Sequence, residues 1–408
     1  MAYASNALGQ LRYIHEVTAG VIPGSGNAVN LRQTGPTMKA AISAVKSEEI
    51  RADRLSTGST NTDLNIDGGF NFELSGKEYD PFLANLMGQS GFTHFGTLGL
   101  SAVIPTSLTT TSSTLTAGAA TTGVDIFTNL AVGSWFKVIA PVGATQAVKD
   151  YFADKWFKVL STTATVITLD ASTPIAAPGI GSLGTGYKIS QSSISNGSTF
   201  GSFAMEYALT DINQFLTFTG MQVNTFDLNL DVGAIAKGSF GFIGRGHSIQ
   251  GATLLPGSPV ASQALEVMNS VSDIGAIYEN GTSILGATSF IKSLKLNVNN
   301  NARAQKALGV FGTVGVGLGE LGLSGTLEVY LEDAAYYQKW LAGTSTSLSV
   351  GMADAAGNGY MFDFAKIKFK DGGLNLSGRD DVMLSLPFDA FYDATANRGI
   401  RITRAIAA

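Results

Sequence analysis

Phe226, Leu228 and Leu230 alternate with Asp227, Asn229 and Asp231. This two-residue period predicts a strand with one apolar and one polar face. The same period marks Leu64 to Leu74 through Phe70, Phe72 and Leu74, and recurs in SWFKVI (Ser134 to Ile139), KWFKVL (Lys155 to Leu160) and Ala164 to Leu169. Helical spacing is rarer. In Glu78 to Met87 the apolar residues Tyr79, Phe82, Leu83, Leu86 and Met87 fall on one helical face. Pro81 sits in the first turn and Gly88 supplies a stop, so one short amphipathic helix is expected there.

The second half repeats the first. LNL at Leu228 to Leu230, followed by SFGF at Ser239 to Phe242, is matched by LNL at Leu374 to Leu376 and SLPF at Ser385 to Phe388, both displaced by 146 residues. DPFLANLMG (Asp80 to Gly88) likewise finds a counterpart in YYQKWLAG (Tyr336 to Gly343). Two blocks in the same order point to a tandem duplication of one β-rich domain with one helix. Between the blocks of the first copy the composition shifts to Thr, Ser, Ala and Gly, which suggests an inserted all-β module. The expected division is a discontinuous first domain (1–100 and 196–250), an insertion (101–195), a Gly/Pro/Ser-rich linker (251–269) and a second domain (270–408). Gly-rich stretches at Gly9 to Gly35 and Gly309 to Gly322 are expected to be irregular arms that reach neighbouring chains.

Composition narrows the function. Charged residues make up 14% of the 408 residues, against about 25% in an average soluble domain. The 49 glycines and frequent Ser and Thr favour strands and turns over long exposed helices. A net charge of −5 argues against binding nucleic acid by phosphate neutralisation, and the absence of cysteine excludes disulfides, thiolate metal sites and thiol nucleophiles. No stretch approaches a membrane span, and the N-terminal residues lack a signal-peptide pattern, so a soluble product not exported by the usual route is expected.

Candidate chemistry is sparse. Two stretches fit the dinucleotide fingerprint, Gly179/Gly181/Gly184 and Gly317/Gly319/Gly322, but neither leads into a helix as phosphate binding requires. His15, His94 and His247 lack metal-ligand spacing. Ser43-x-x-Lys46 begins a serine acyl-enzyme motif whose partner motifs are missing. The neighbours Glu48-Glu49 and Asp380-Asp381 would point to opposite faces of a strand. No catalytic residue, metal site or cofactor is expected.

Three blocks, KSEEIRADR (Lys46 to Arg54), GFNFELSGKEYDPFLANLMG, and ALTDINQFLTFTGMQVNTFDLNL leading to KGSFGFIG, together resemble the tail tube proteins of tailed bacteriophages. The resemblance implies a mainly β fold: curved β-sandwich or half-barrel tube domains, each with one helix. It also implies a structural role as stacked rings enclosing a DNA channel, in the tail of a virion assembled in the host cytoplasm. Implied partners are the chain itself, tape-measure, terminator and baseplate or tip proteins, and double-stranded DNA in passage, with no membrane. Two copies per chain predict a trimeric ring of pseudo-sixfold appearance. The polar strand positions Asp227, Asn229 and Asp231, with Gly373, Asn375 and Ser377 at the matching places, are the expected lumen lining. A rival expectation is a virion or cell-surface adhesin whose inserted Ser/Thr-rich module binds carbohydrate.

Overall fold

Alternation of the kind seen at Phe226 to Asp231 runs through most of the computed structural model. It describes residues 3–95, 102–118, 127–153, 155–285, 290–332, 334–375 and 381–407. The first copy consists of β1 (Gly9–Glu16), β2 (Lys39–Lys46), β3 (Ser59–Glu73), α1 (Asp80–Leu86), β4 (Ser202–Leu209), β5 (Gln214–Asp231), β6 (Lys237–Gly244) and β7 (Gly246–Gln250). The second repeats that order as β8 (Ile274–Glu279), β9 (Ile291–Asn299), β10 (Gly322–Tyr330), α2 (Ala335–Leu341), β11 (Thr346–Ala353), β12 (Gly359–Phe369) with its continuation β13 (Gly373–Asn375), β14 (Met383–Ala390) and β15 (Ile400–Ala405).

Strand pairing repeats as well. β1–β4, β4–β5, β5–β6, β6–β3, β3–β2 and β5–β7 are matched by β8–β11, β11–β12, β12–β14, β14–β10, β10–β9 and β12–β15, all antiparallel. Register is kept residue by residue. Gln222 faces Ile243 and, 146 residues on at both positions, Lys368 faces Asp389; Asp227 faces Ser239, and Gly373 faces Ser385. A one-residue slip lies between those pairs in each copy, so even the irregularity is duplicated.

The two copies share one core. Phe70, Phe72, Phe82, Phe226 and Phe240 are buried together, with Phe70 and Phe82 rings 5.3 Å apart and Phe72 and Phe240 5.1 Å apart. Phe226 meets Phe362 of the second copy at 6.0 Å. Helix α1 begins at Asp80 with Pro81 in its first turn, buries Phe82, Leu83 and Leu86, and ends before Gly88 at φ +64. Gly343 follows α2 in the same way at φ +59, but there Leu341 is 63% exposed where Leu86 is fully buried. The helix position is thus duplicated and its packing is not.

The inserted segment forms a separate eight-stranded sheet containing Trp135–Ile139, Phe157–Thr162 and Val166–Leu169. It also holds a helix, Gln146–Ala153, that buries Phe152 and that the all-β expectation did not include. Ser192–Ser195, read from sequence as the end of the insertion, pairs instead with β15 and with Thr93–His94 in the main sheet. Although the insertion departs from the first copy, it packs on the second: Trp135 and Trp156 are buried against Ala276, Met361 and Ala405. The matching face of the first copy is covered by residues 251–269, where Thr253 Oγ1 and the Leu254 N–H donate to the buried Glu206 and Leu255 packs on Ala28 and Ala204. One face is thus closed twice by unrelated pieces of chain. Gly9 to Gly35 is less irregular than expected, since Gly9–Glu16 pairs along its whole length with β4.

Candidate channel face and assembly edges

Along β5 the buried residues Phe226, Leu228 and Leu230 face the core, while Asp227 and Asn229 are half-buried and Asp231 is exposed. This follows from the pleat. A polar row crosses the sheet at Asp227: its carboxylate accepts from Asn297 Nδ2 at 2.7 Å and Ser239 Oγ at 3.3 Å, while Ser324 Oγ donates to Asn297 at 3.4 Å. Ser324 in turn faces Asp389, which faces Lys368. Asp231 begins a second row through Ser293 and Glu328, joined by a 3.0 Å hydrogen bond from Ser293 Oγ. The polar face therefore runs unbroken from one copy into the other.

Its charge is mixed. Lys237 approaches Glu73 at 4.0 Å, Lys39 approaches Asp67 at 3.5 Å and Lys370 pairs with Asp389 at 2.6 Å. Lys295 and Lys368 are exposed on the same face. Sequence reasoning missed these lysines because it read the alternation of β5 alone; KGSFGFIG, SLKLNVN and KIKF carry the same signal. Of the matching residues in the second copy, Gly373 and Asn375 lie on β13, while Ser377 lies outside the described residues.

The copies are joined edge to edge by β5 and β9, with seven residue pairs from Thr225–Asn299 to Asp231–Ser293. In the repeat, β9 is the counterpart of β2 and the short strand Gly35–Pro36 beside it, and the outer part of β5 is the counterpart of β13. Both counterparts pair on one side only among the described residues.

The remaining sequence candidates do not converge. Gly181–Gly184 and the neighbourhood of Gly317 to Gly322 are strands and turns rather than helix entries. His15 lies edge-on to Phe203, His94 Nδ1 is 2.6 Å from Ser192 Oγ, and His247 stacks on Phe218. Ser43 and Lys46 are exposed on β2. Glu48 and Glu49 lie in the exposed turn beyond it, and Asp380 is outside the described residues. No group of three His, Asp or Glu among the described residues could hold a metal ion, and no helix there is long and apolar enough to cross a membrane.

A family profile described as phage tail tube protein matches residues 6–390, spanning both copies and the insertion. The chain belongs to the phage tail tube protein family. No curated protein matches it. Membership makes this tail tube protein a structural component of the virion tail, with self-assembly into a tube alongside other tail proteins.

Proposed function

We propose that three chains of this tail tube protein close a ring of pseudo-sixfold symmetry, that rings stack into a tube, and that the polar face lines a passive channel for genome delivery. The β5–β9 junction carries this reading. It joins copy to copy through strand edges, and each chain presents the matching pair of edges at its two ends. Repeating the junction between chains satisfies both edges and leaves no open sheet. A chain with two sectors then needs two partners to complete six. The alternating apolar and polar faces suit a barrel with a packed outer layer and a wet interior. Catalysis plays no part in this role.

The adhesin reading lacks a comparable observation. Tryptophans suited to stacking on sugars, Trp135 and Trp156, are buried where the insertion meets the second copy. Reconstruction of purified assemblies tests the proposal: three chains per ring are expected, and six chains per ring would refute the two-sector reading.

A further inference from the structure

Where the inserted segment covers the second copy, positive charge outnumbers the carboxylates that answer it. Asp363 and Arg401 face each other across β12 and β15, and Ser195 flanks Arg401 on its other side. Phe362, Ile400 and Ile402 beside them lie in the shared core, so the pleat turns Asp363 and Arg401 to the face that carries Met361 and Ala405 under the two tryptophans. Asp363 is buried and both of its oxygens are taken. Oδ1 accepts from Trp135 and Ser349, and Oδ2 accepts from Arg398 Nη2 at 2.8 Å. Asp393, the carboxylate on the turn before β15, folds back on that turn and accepts from the Thr395 and Ala396 N–H groups.

Arg401 is left over. It makes no hydrogen bond or ion pair among the described residues, although its Nη1 is buried. Arg398, 8% exposed, has a buried Nε in the same condition. Burial, and next the positive charge of Arg398, push the Arg401 guanidinium down from its ordinary value to about 10. Two guanidiniums therefore repel each other beside a single carboxylate. A water molecule would satisfy a donor there and leave the charge, and a buried charge without a counterion is costly. The matching place in the first copy is balanced. Thr217, 146 residues before Asp363, donates to the buried Glu206, which also takes Thr253 and the Leu254 N–H and has Arg12 Nη1 at 3.8 Å. One guanidinium meets one carboxylate there, and the second copy has two for one.

We propose that Arg398 and Arg401 together bind a small inorganic oxyanion, of the phosphate or sulfate class, at the margin between the inserted segment and the second copy. A guanidinium presents its N–H donors as a planar fork, which matches the oxygens of a tetrahedral oxyanion better than it matches a spherical halide. Arg401 is only partly buried, so the ion reaches it from solvent. DNA in passage is not the source of the phosphate: Asp363 lies beneath Trp135, whereas the polar face carries Asp227. The bound ion offsets the surplus charge and fastens the turn that holds Arg398 to the strand beside the insertion. The site depends on neither ring size nor stacking.

Calorimetric titration of the full chain tests this, with inorganic phosphate and sulfate as probes in a buffer otherwise free of oxyanions. One saturable site per chain is expected, and thermal unfolding should move upward as phosphate fills it. Sodium chloride at matched ionic strength should not reproduce that shift. No saturable binding, or an equal shift with chloride, overturns the proposal without any variant. Arg401→Met supplies a second test. In oxyanion-free buffer it should be at least as stable as wild type, because it removes a charge that nothing pairs and keeps the aliphatic packing. In saturating phosphate the order should reverse, with affinity weakened by about tenfold or more. Unchanged affinity overturns the proposal. So does a variant less stable than wild type without oxyanion, since it would show that the chain itself holds Arg401.

Discussion

The indole N–H of Trp135 donates to Asp363 Oδ1 at 3.3 Å, joining the inserted segment to strand β12 of the second copy. Asp363 also accepts from Ser349 Oγ at 2.7 Å and from Arg398 Nη2 at 2.8 Å. The insertion leaves the first copy between α1 and β4, so this contact ties together all three parts of the chain.

Removing that contact should be costly. Trp135→Ala is expected to destabilise the chain by about 3–5 kcal/mol through lost burial. Trp135→Phe, which keeps most of the packing and loses the donor, should cost about 1 kcal/mol. Denaturant unfolding measures both, and equal small effects would mean that the insertion is not docked. Replacing residues 102–190 by a Gly/Ser linker should lower soluble yield, because it uncovers Met361, Ala405 and Tyr278.

His94 gives a pH dependence. Burial, and then the nearby Arg404 guanidinium, hold its pKa below the usual 6.5. Arg404 is itself paired with Asp80, which also accepts from the Tyr360 hydroxyl at 2.7 Å, and Phe92 lies under the guanidinium. A histidine with a lowered folded pKa contributes stability above its unfolded value, and that contribution is lost as pH falls through the folded value. Wild-type protein should therefore lose stability faster than His94→Gln between about pH 7 and pH 5.5. Parallel curves in denaturant unfolding would remove His94 from the account.

Local signals were legible and long-range contacts were not. Leu86 with Gly88, and Leu341 with Gly343, located both helices and half of the duplication, because helix spacing and a glycine stop are properties of a short segment. The alternation from Phe226 to Asp231 likewise fixed which side of β5 is polar. Trp135 and Trp156 showed only that their strands have a large apolar face; what covers that face comes from residues more than a hundred positions away. Val148, Tyr151 and Phe152 carried a helical pattern that the surrounding Thr, Ser, Ala and Gly obscured. In Gly9–Glu16 the flanking glycines outweighed the alternation of Leu11 and Tyr13, both of which are buried.

Ring closure can be tested at one residue pair. Asp227 faces Asn297 at the internal junction. Their counterparts in the repeat are Gly373 and Lys39, so Gly373 is expected opposite the partner subunit's Lys39. A side chain fits at Gly373, where an added Cβ meets nothing within 4 Å. Facing residues of antiparallel strands lie about 4.5–5.5 Å apart between Cα atoms, within the range that a disulfide spans. The Lys39→Cys, Gly373→Cys variant should yield covalent trimers in oxidised rings. Closed rings that never crosslink would show that different edges meet.

The channel prediction concerns the sign of the charge that the face presents. DNA slides easily past a wall that holds few of its phosphates, since each Lys or Arg contact releases counterions, strengthens binding and steepens its salt dependence. Asp67, Glu73, Asp227, Asp231, Glu328 and Asp389 on this face offset Lys39, Lys237, Lys295, Lys368 and Lys370, and at about 8 Å screening length each charge acts mainly on its near neighbours. Wild-type tubes should accordingly bind duplex DNA weakly even at low salt. Replacing both carboxylates, Asp227→Lys with Asp231→Lys, shifts the face by four charges per chain. It also removes the acceptor for Asn297 and Ser239, which should cost about 1–3 kcal/mol at the half-buried Asp227 and little at the exposed Asp231. Asp231→Lys alone therefore separates charge from stability: it should assemble normally, raise DNA retention and increase its salt dependence. The double variant should do so more strongly and slow genome delivery. Unchanged retention and delivery in virions whose tubes carry both substitutions would place these residues away from the lumen.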